Sequence, residues 1–189
     1  MKPTKDQALE IFKKYNKSES LLKHALTVGG VMSHFAKING EDVEKWTAIG
    51  ILHDIDYEMY PDEHCKKAVE ILKNENVDDE YIHAVVSHGY GICSDVEPTE
   101  KMEKILFTID ELSGLINAAC LMRPSKSVLD IELKSVKKKY KDKSFAAGVD
   151  RSIIEKGCEM NGESLDYFIT ETIMGMRECA EEIGLKGNL

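Results

Sequence analysis

The sequence predicts an all-α bundle. Apolar residues recur at helical spacing along most of the chain. No period-2 stretch runs beyond four residues, and no internal repeat or low-complexity linker breaks the pattern. The length of 189 residues suits one domain better than two. A unit of roughly 150–200 residues buries about 70% of its unfolded surface, so it needs no disulfides to hold a core.

Taken in order, Ala8, Leu9, Ile11 and Phe12 make a short first helix. A longer one runs from about Ser20 through Leu22, Leu26, Val28 and Met32 to Ile38, where Asn39-Gly40 stops it. A third covers about Asp42–Asp54 with Val43, Trp46, Ile49 and Leu52 inward. After Tyr60-Pro61 a helix of about Asp62–Asn74 carries Ala68, Val69, Ile71 and Leu72. Asp78 or Asp79 caps the next, which ends at His88-Gly89-Tyr90-Gly91. Thr99 starts the most apolar helix, which reaches about Met122 and stops at Arg123-Pro124. Helices near Ile131–Lys141, Asp150–Met160 and Glu163–Ile183 complete the series.

The 42% hydrophobic and 31% charged fractions exclude a mainly disordered chain. A net charge of −9 argues against a general nucleic-acid coat, which needs surplus cations. That average hides a basic block: Cys120–Arg151 holds nine Lys/Arg against four Asp/Glu. No stretch approaches the ~20 apolar residues of a membrane span, and the N-terminus has no secretory apolar core. The five cysteines (65, 93, 120, 158 and 179) are odd in number and far apart, with no CxxC pair. Free thiols in a reducing cytoplasm are therefore expected.

Four ionisable groups sit inside three apolar stretches. His24 lies in Leu21-Leu22-Lys23-His24-Ala25-Leu26, and His53-Asp54 follow Ala48-Ile49-Gly50-Ile51-Leu52. Asp110 is embedded in Ile105-Leu106-Phe107-Thr108-Ile109-Asp110-Glu111-Leu112. A carboxylate so placed needs a partner or a metal, and only Lys23 is close in sequence to any of the three. Imidazole plus carboxylate without a thiolate suits iron, manganese or another divalent ion. Leu106, Asp110, Ser113/Gly114 and Asn117 share a small, polar helix side through which Asp110 can reach a cavity.

In this order the residues resemble the HD superfamily of metal-dependent phosphohydrolases, whose pattern is His…His-Asp…Asp on a helical bundle. Ala48-Ile49-Gly50-Ile51-Leu52-His53-Asp54-Ile55 is similar to the central motif, with His24 as first ligand and Asp110 as last. The resemblance covers about residues 18–122. It implies one HD-type domain over 1–189, in which 123–189 adds a basic segment and C-terminal helices. His64 and His88 fall where the dinuclear branch has two further histidines. The resemblance thus implies that His24, His53, Asp54 and Asp110 hold one divalent cation. It implies likewise that Asp54 would bridge to a second cation held by His64 and His88. Iron or manganese is expected ahead of magnesium, cobalt, nickel or zinc. Such a pair, about 3.5–4 Å apart, clamps a phosphoryl group and makes a bridging hydroxide near neutral pH.

His83 precedes His88 by five residues and faces about 140° away, and His34 lies about 15 Å along the axis from His24. Both are expected to be bystanders. The run His53-Asp54-Ile55-Asp56-Tyr57-Glu58 lacks the glycine or lysine that many members place here, which weakens a diadenosine tetraphosphate assignment. Asp56 and Glu58 read as carboxylates behind the ligands, as a general acid (Asp56 first, with Asp54 as its catalytic companion) or as caps of the next turn. His88-Gly89-Tyr90-Gly91 is not the Gly-Tyr-Pro motif of cyclic-dinucleotide phosphodiesterases.

The basic block follows Asp110's helix directly and could fold over the cavity mouth. Arg123 and Lys126 are the candidate substrate contacts, with a helix start near Ser127–Asp130 as a source of N–H donors. Lys137-Lys138-Lys139 spans too wide an arc to converge on one ligand, and no aromatic interleaving supports RNA stacking. Ile153, Ile154, Leu165, Phe168, Ile169, Ile173 and Met176 offer either a core cap or a homodimer face. The expected function is cytoplasmic hydrolysis of a phosphoester or phosphoanhydride in a small phosphorylated metabolite or nucleotide. The alternatives are a mixed-valent di-iron oxygenase of the same fold and a non-catalytic sensor of a phosphorylated ligand.

Overall fold

A computed structural model describes residues 1–188, with Leu189 outside the described residues. Nine α-helices appear among the described residues: α1 (Lys5–Tyr15), α2 (Glu19–Asn39), α3 (Val43–Leu52), α4 (Lys66–Asn74), α5 (Asp79–Ser87), α6 (Lys101–Leu121), α7 (Leu133–Lys141), α8 (Arg151–Asn161) and α9 (Leu165–Glu178). The described residues contain no strand, only an isolated bridge between Tyr90 and Ser94.

Local chemistry sets the helix ends. Thr4 and Gln7 form a capping box on α1. Ser18, Asp42, Asp150 and Ser164 accept from backbone N–H groups at the starts of α2, α3, α8 and α9. Gly40 ends α2 in the left-handed region at φ +69°.

The central pair is α2 on α3, flanked by α1, α6 and α9. Their approach is close because two glycines face each other. A Cβ on Gly50 would lie 2.9 Å from Gly29 Cα and 3.0 Å from Val28 O. Around them, Val28, Met32, Phe35, Ile49, Leu52, Leu106, Ile109 and Phe168 are fully or almost fully buried in one contiguous core. On the other side of α6, a Cβ on Gly157 would overlap the Thr108 hydroxyl, so α8 seats directly on α6.

Several boundaries depart from the periodicity, and two of the departures shape the site. The helix expected over 62–74 is interrupted. Pro61–Glu63 makes a single 3-10 turn, and α4 begins only at Lys66, because Cys65 sits at φ +67°, a conformation no α-helix contains. The helix expected to reach Asp54 ends at Leu52, and His53–Met59 continue as successive tight turns. The last helix stops at Glu178 rather than Ile183, as the chain turns back so that Leu185 N–H bonds to Ala180 O. No helix starts at Ser127–Asp130: the segment is pinned by Ser127, which donates to Lys186 O, and α7 begins at Leu133. No helix of the described residues is long and apolar enough to cross a membrane.

Candidate metal centre

Six side chains from five segments converge at one end of the α2–α3–α6 packing. Only His24 and Asp110 lie within helices, on α2 and α6. His53 caps the C-terminus of α3 and Asp54 follows it. His64 stands in the break before α4, and His88 caps the C-terminus of α5. Helix ends free these rings from helical register, so donors spaced irregularly in sequence can meet.

Asp54 divides the group in two. Its Oδ2 lies 3.1 Å from His53 Nε2 and 3.6 Å from His24 Nε2. Its Oδ1 lies 3.3 Å from His64 Nε2 and 3.5 Å from His88 Nε2. Asp110 Oδ1 joins the first pair, 2.9 Å from His24 Nε2 and 3.4 Å from His53 Nε2. The His24 and His53 Nε2 atoms are 3.2 Å apart. Neighbouring rings meet edge to face at centroid separations of 5.0–5.2 Å.

The far nitrogens fix the tautomers. His53 Nδ1 is 2.7 Å from Gly50 O, and His88 Nδ1 bonds to Val85 O. A carbonyl only accepts, so each Nδ1 carries the proton and each Nε2 presents a lone pair. His64 Nδ1 is 2.7 Å from Asp56 Oδ1, which has the same effect. Bare Nε2 lone pairs therefore face carboxylate oxygens in a buried site, an arrangement that repels itself unless a proton or a cation sits between them. Ligands about 2.0–2.2 Å from one cation are separated by roughly 3.0–3.6 Å, which is the spacing found. The donor set fits divalent metal ions.

The protonation energetics agree. Burial opposes a charge on His53, yet Asp54 and Asp110 outweigh it and raise its pKa well above the ordinary value. Burial likewise opposes ionisation of Asp54 and Asp110, and the histidines, His53 foremost, win and hold both carboxyls well below their usual range. In His64 the same contest leaves the pKa raised, with Asp56 and Asp54 prevailing over burial.

The chain belongs to the HD-domain family. The HD domain matches residues 21–115, which span all six side chains, and membership together with these His/Asp clusters implies divalent metal ions. The family is one of metal-dependent phosphohydrolases. The chain is 31% identical over 172 residues to a tRNA (cytidine(56)-2'-O)-methyltransferase of Picrophilus torridus, covering 82% of this chain and 50% of that protein. It is 33% identical over 100 residues to ribonuclease Y of Staphylococcus epidermidis, covering 51% of this chain and 18% of that protein. A Thermoplasma volcanium methyltransferase of the same name is 30% identical over 95 residues, 49% of this chain and 28% of that protein. The chain thus spans half or less of these relatives' length. No solved structure matches it significantly.

The HD centre forms the floor of a cavity of about 380 Å³. His24, Asp54, His64, His88 and Asp110 line it. Its walls come from Tyr57, Ile92, Phe107, Val149 and Ile153, with Glu111 beside them. Glu111 Oε2 accepts from Asp150 N–H at 2.9 Å, tying the segment before α8 to the rim, and burial pushes its carboxyl up. Sequence reasoning missed Val149, which follows the motif-bearing stretch and carries no local signal, and read Ile153 only as part of a core cap or homodimer face.

Asp56 is fully buried and does not line the cavity. Its second oxygen accepts from Ala68 N–H at 2.8 Å in the first turn of α4, so both oxygens serve to hold His64 against that helix. Glu58 accepts from Lys17 and Ser18 N–H groups and secures the start of α2. His34 pairs with Glu171 and Glu178, and His83 with Glu103, all outside the centre. Arg123 makes two bonds to the Asp130 carboxylate, at 3.1 and 3.0 Å, and neither Arg123 nor Lys126 lines the cavity.

Proposed function

We propose that this HD domain hydrolyses a phosphoester or phosphoanhydride of a small phosphorylated metabolite or nucleotide, using two divalent cations per chain. The observation that carries the reading is the division of Asp54, whose oxygens each face a different pair of histidines at the base of an open cavity. In this reading His24, His53, Asp54 and Asp110 hold one cation, and His64, His88 and Asp54 hold the other. Bound divalent cations supply Lewis acidity to a phosphoryl oxygen and acidify water.

The chain's own groups supply the rest. Gly50 O, Val85 O and Asp56 hold three imidazoles in the tautomer that presents Nε2. Asp56 acts here as a positioning residue, since both its oxygens are engaged. Phe107, Ile92, Val149 and Ile153 offer apolar surface to the organic part of the substrate and thin the water around the phosphoryl group. Arg123 and Lys126 stay with the 123–130 turn, so phosphate charge is met at the cavity floor rather than by the basic block. Residues 1–189 act in this reading as one HD-type unit, in which Val149 and Ile153 wall the cavity from beyond the ligand-bearing core.

Metal analysis of protein purified without chelator, followed by a phosphate-release screen with Mn, Fe, Co and Mg, tests the reading. About two metals per chain and metal-dependent phosphate release are expected, with His64→Ala losing about one metal. No release from any phosphorylated compound would overturn it. So would oxygen uptake coupled to substrate loss in the iron-loaded protein.

A further inference from the structure

Two thiols that lie 28 positions apart in sequence meet on the wall of the cavity, their Sγ atoms 2.6 Å apart. A disulfide bond is about 2.05 Å long, so linking them requires little movement. The fold makes specific provision for the pair. Gly89 lacks the Cβ that would overlap both sulfurs. The turn that carries Cys93 is tied back on Gly89 O by the N–H groups of Ile92, Cys93 and Ser94 at 3.0–3.1 Å. Cys65 sits at φ +67°, ψ −36°, where a side chain is strained, and it makes no capping bond to α4. Helix capping therefore does not explain a cysteine there, whereas the facing sulfur does. Access is one-sided, because Cys65 is fully buried and Cys93 lines the cavity. No other cysteine pair among the described residues is within hydrogen-bonding distance, and all five are free thiols.

We propose that Cys65 and Cys93 form a redox-active dithiol, a covalent modification site that a low-molecular-weight disulfide entering the cavity oxidises to a Cys65–Cys93 bond. Cys93, as thiolate, attacks one sulfur of the small disulfide, whose S–S bond breaks and releases one thiolate. The Cys65 sulfur then attacks Cys93 Sγ and expels the second small thiolate. Two cysteine thiols are oxidised, the small disulfide is reduced to two thiols, and the two cysteine protons end on those products. The new bond joins the residue after His64 to the turn after His88, so it fixes the spacing between those two histidine-bearing segments. This inference does not depend on the hydrolase reading.

The test uses the reduced full-length protein, metal-free and manganese-loaded, incubated with oxidised glutathione. Titratable thiols should fall from five to three, with a Cys65–Cys93 cross-linked peptide on mapping and full recovery with dithiothreitol. Cys65→Ser should stop at a glutathione adduct on Cys93, and Cys93→Ser should keep Cys65 unmodified. Retention of five thiols by the folded wild-type protein would overturn the proposal. A stable Cys93 adduct with no cross-link in the wild type, or a cross-link that forms only after denaturation, would do the same. These readouts on the wild type hold even if a variant fails to fold.

Discussion

Asp56→Asn separates a positioning carboxylate from a catalytic one. In the native site Asp56 Oδ1 accepts from His64 Nδ1 at 2.7 Å and Oδ2 accepts from Ala68 N–H at 2.8 Å. Asparagine has one acceptor. If it keeps the bond to Ala68, its NH2 faces His64 Nδ1, which must then accept. The ring proton moves to Nε2, the atom that faces Asp54, and that nitrogen can no longer bind a cation. Loss of such an orienting partner typically weakens metal binding 10–100-fold, or about 1.4–2.7 kcal/mol. Exchanging two bonds to a carboxylate for two neutral ones costs a further ~1–3 kcal/mol of folding stability. On the proposed two-cation reading, chelator competition with metal counting should find one cation per chain weakened by that factor, while the one assigned to His24, His53 and Asp110 is retained. Activity lost with both affinities unchanged would refute the argument and place Asp56 in the reaction itself.

Four other outcomes follow from the same geometry. In the metal-free protein His53 keeps its proton well above the usual value. Its stabilisation is therefore complete below an unfolded pKa of about 6.5 and fades as pH climbs through the raised folded value. Chemical denaturation with chelator should show stability declining on the alkaline side, and manganese should abolish the decline; a flat metal-free profile would contradict the assigned pair. Asp54 and Asp110, held low, contribute above an unfolded pKa of about 3.9 and lose that contribution as pH falls, so acid should also destabilise the metal-free protein. Gly50→Ala forces a Cβ against the Gly29 backbone and should cost ~1–3 kcal/mol in urea unfolding. Arg123→Ala breaks a solvent-screened surface pair with Asp130 and should leave both the urea midpoint and KM nearly unchanged; a tenfold rise in KM would put Arg123 in the substrate site.

Much of this molecule was legible in its sequence. Apolar spacing gave the helices, because a 3.6-residue repeat is a local property that burial of one face enforces. His24, His53-Asp54 and Asp110 stood out because ionisable groups in apolar stretches need partners, and the family pattern added His64 and His88. Tertiary structure decided the rest. That Asp54 presents one oxygen to each histidine pair depends on where α3 ends, and that Asp56 faces His64 depends on the break at Cys65, neither of which periodicity encodes. The contact of Cys65 with Cys93, the cavity walls from Val149 and Ile153, and the diversion of Arg123 to Asp130 all join residues through packing of separate segments. Sequence spacing reports which groups share a helix face, whereas contacts across helix ends and loops are set only when the whole core closes.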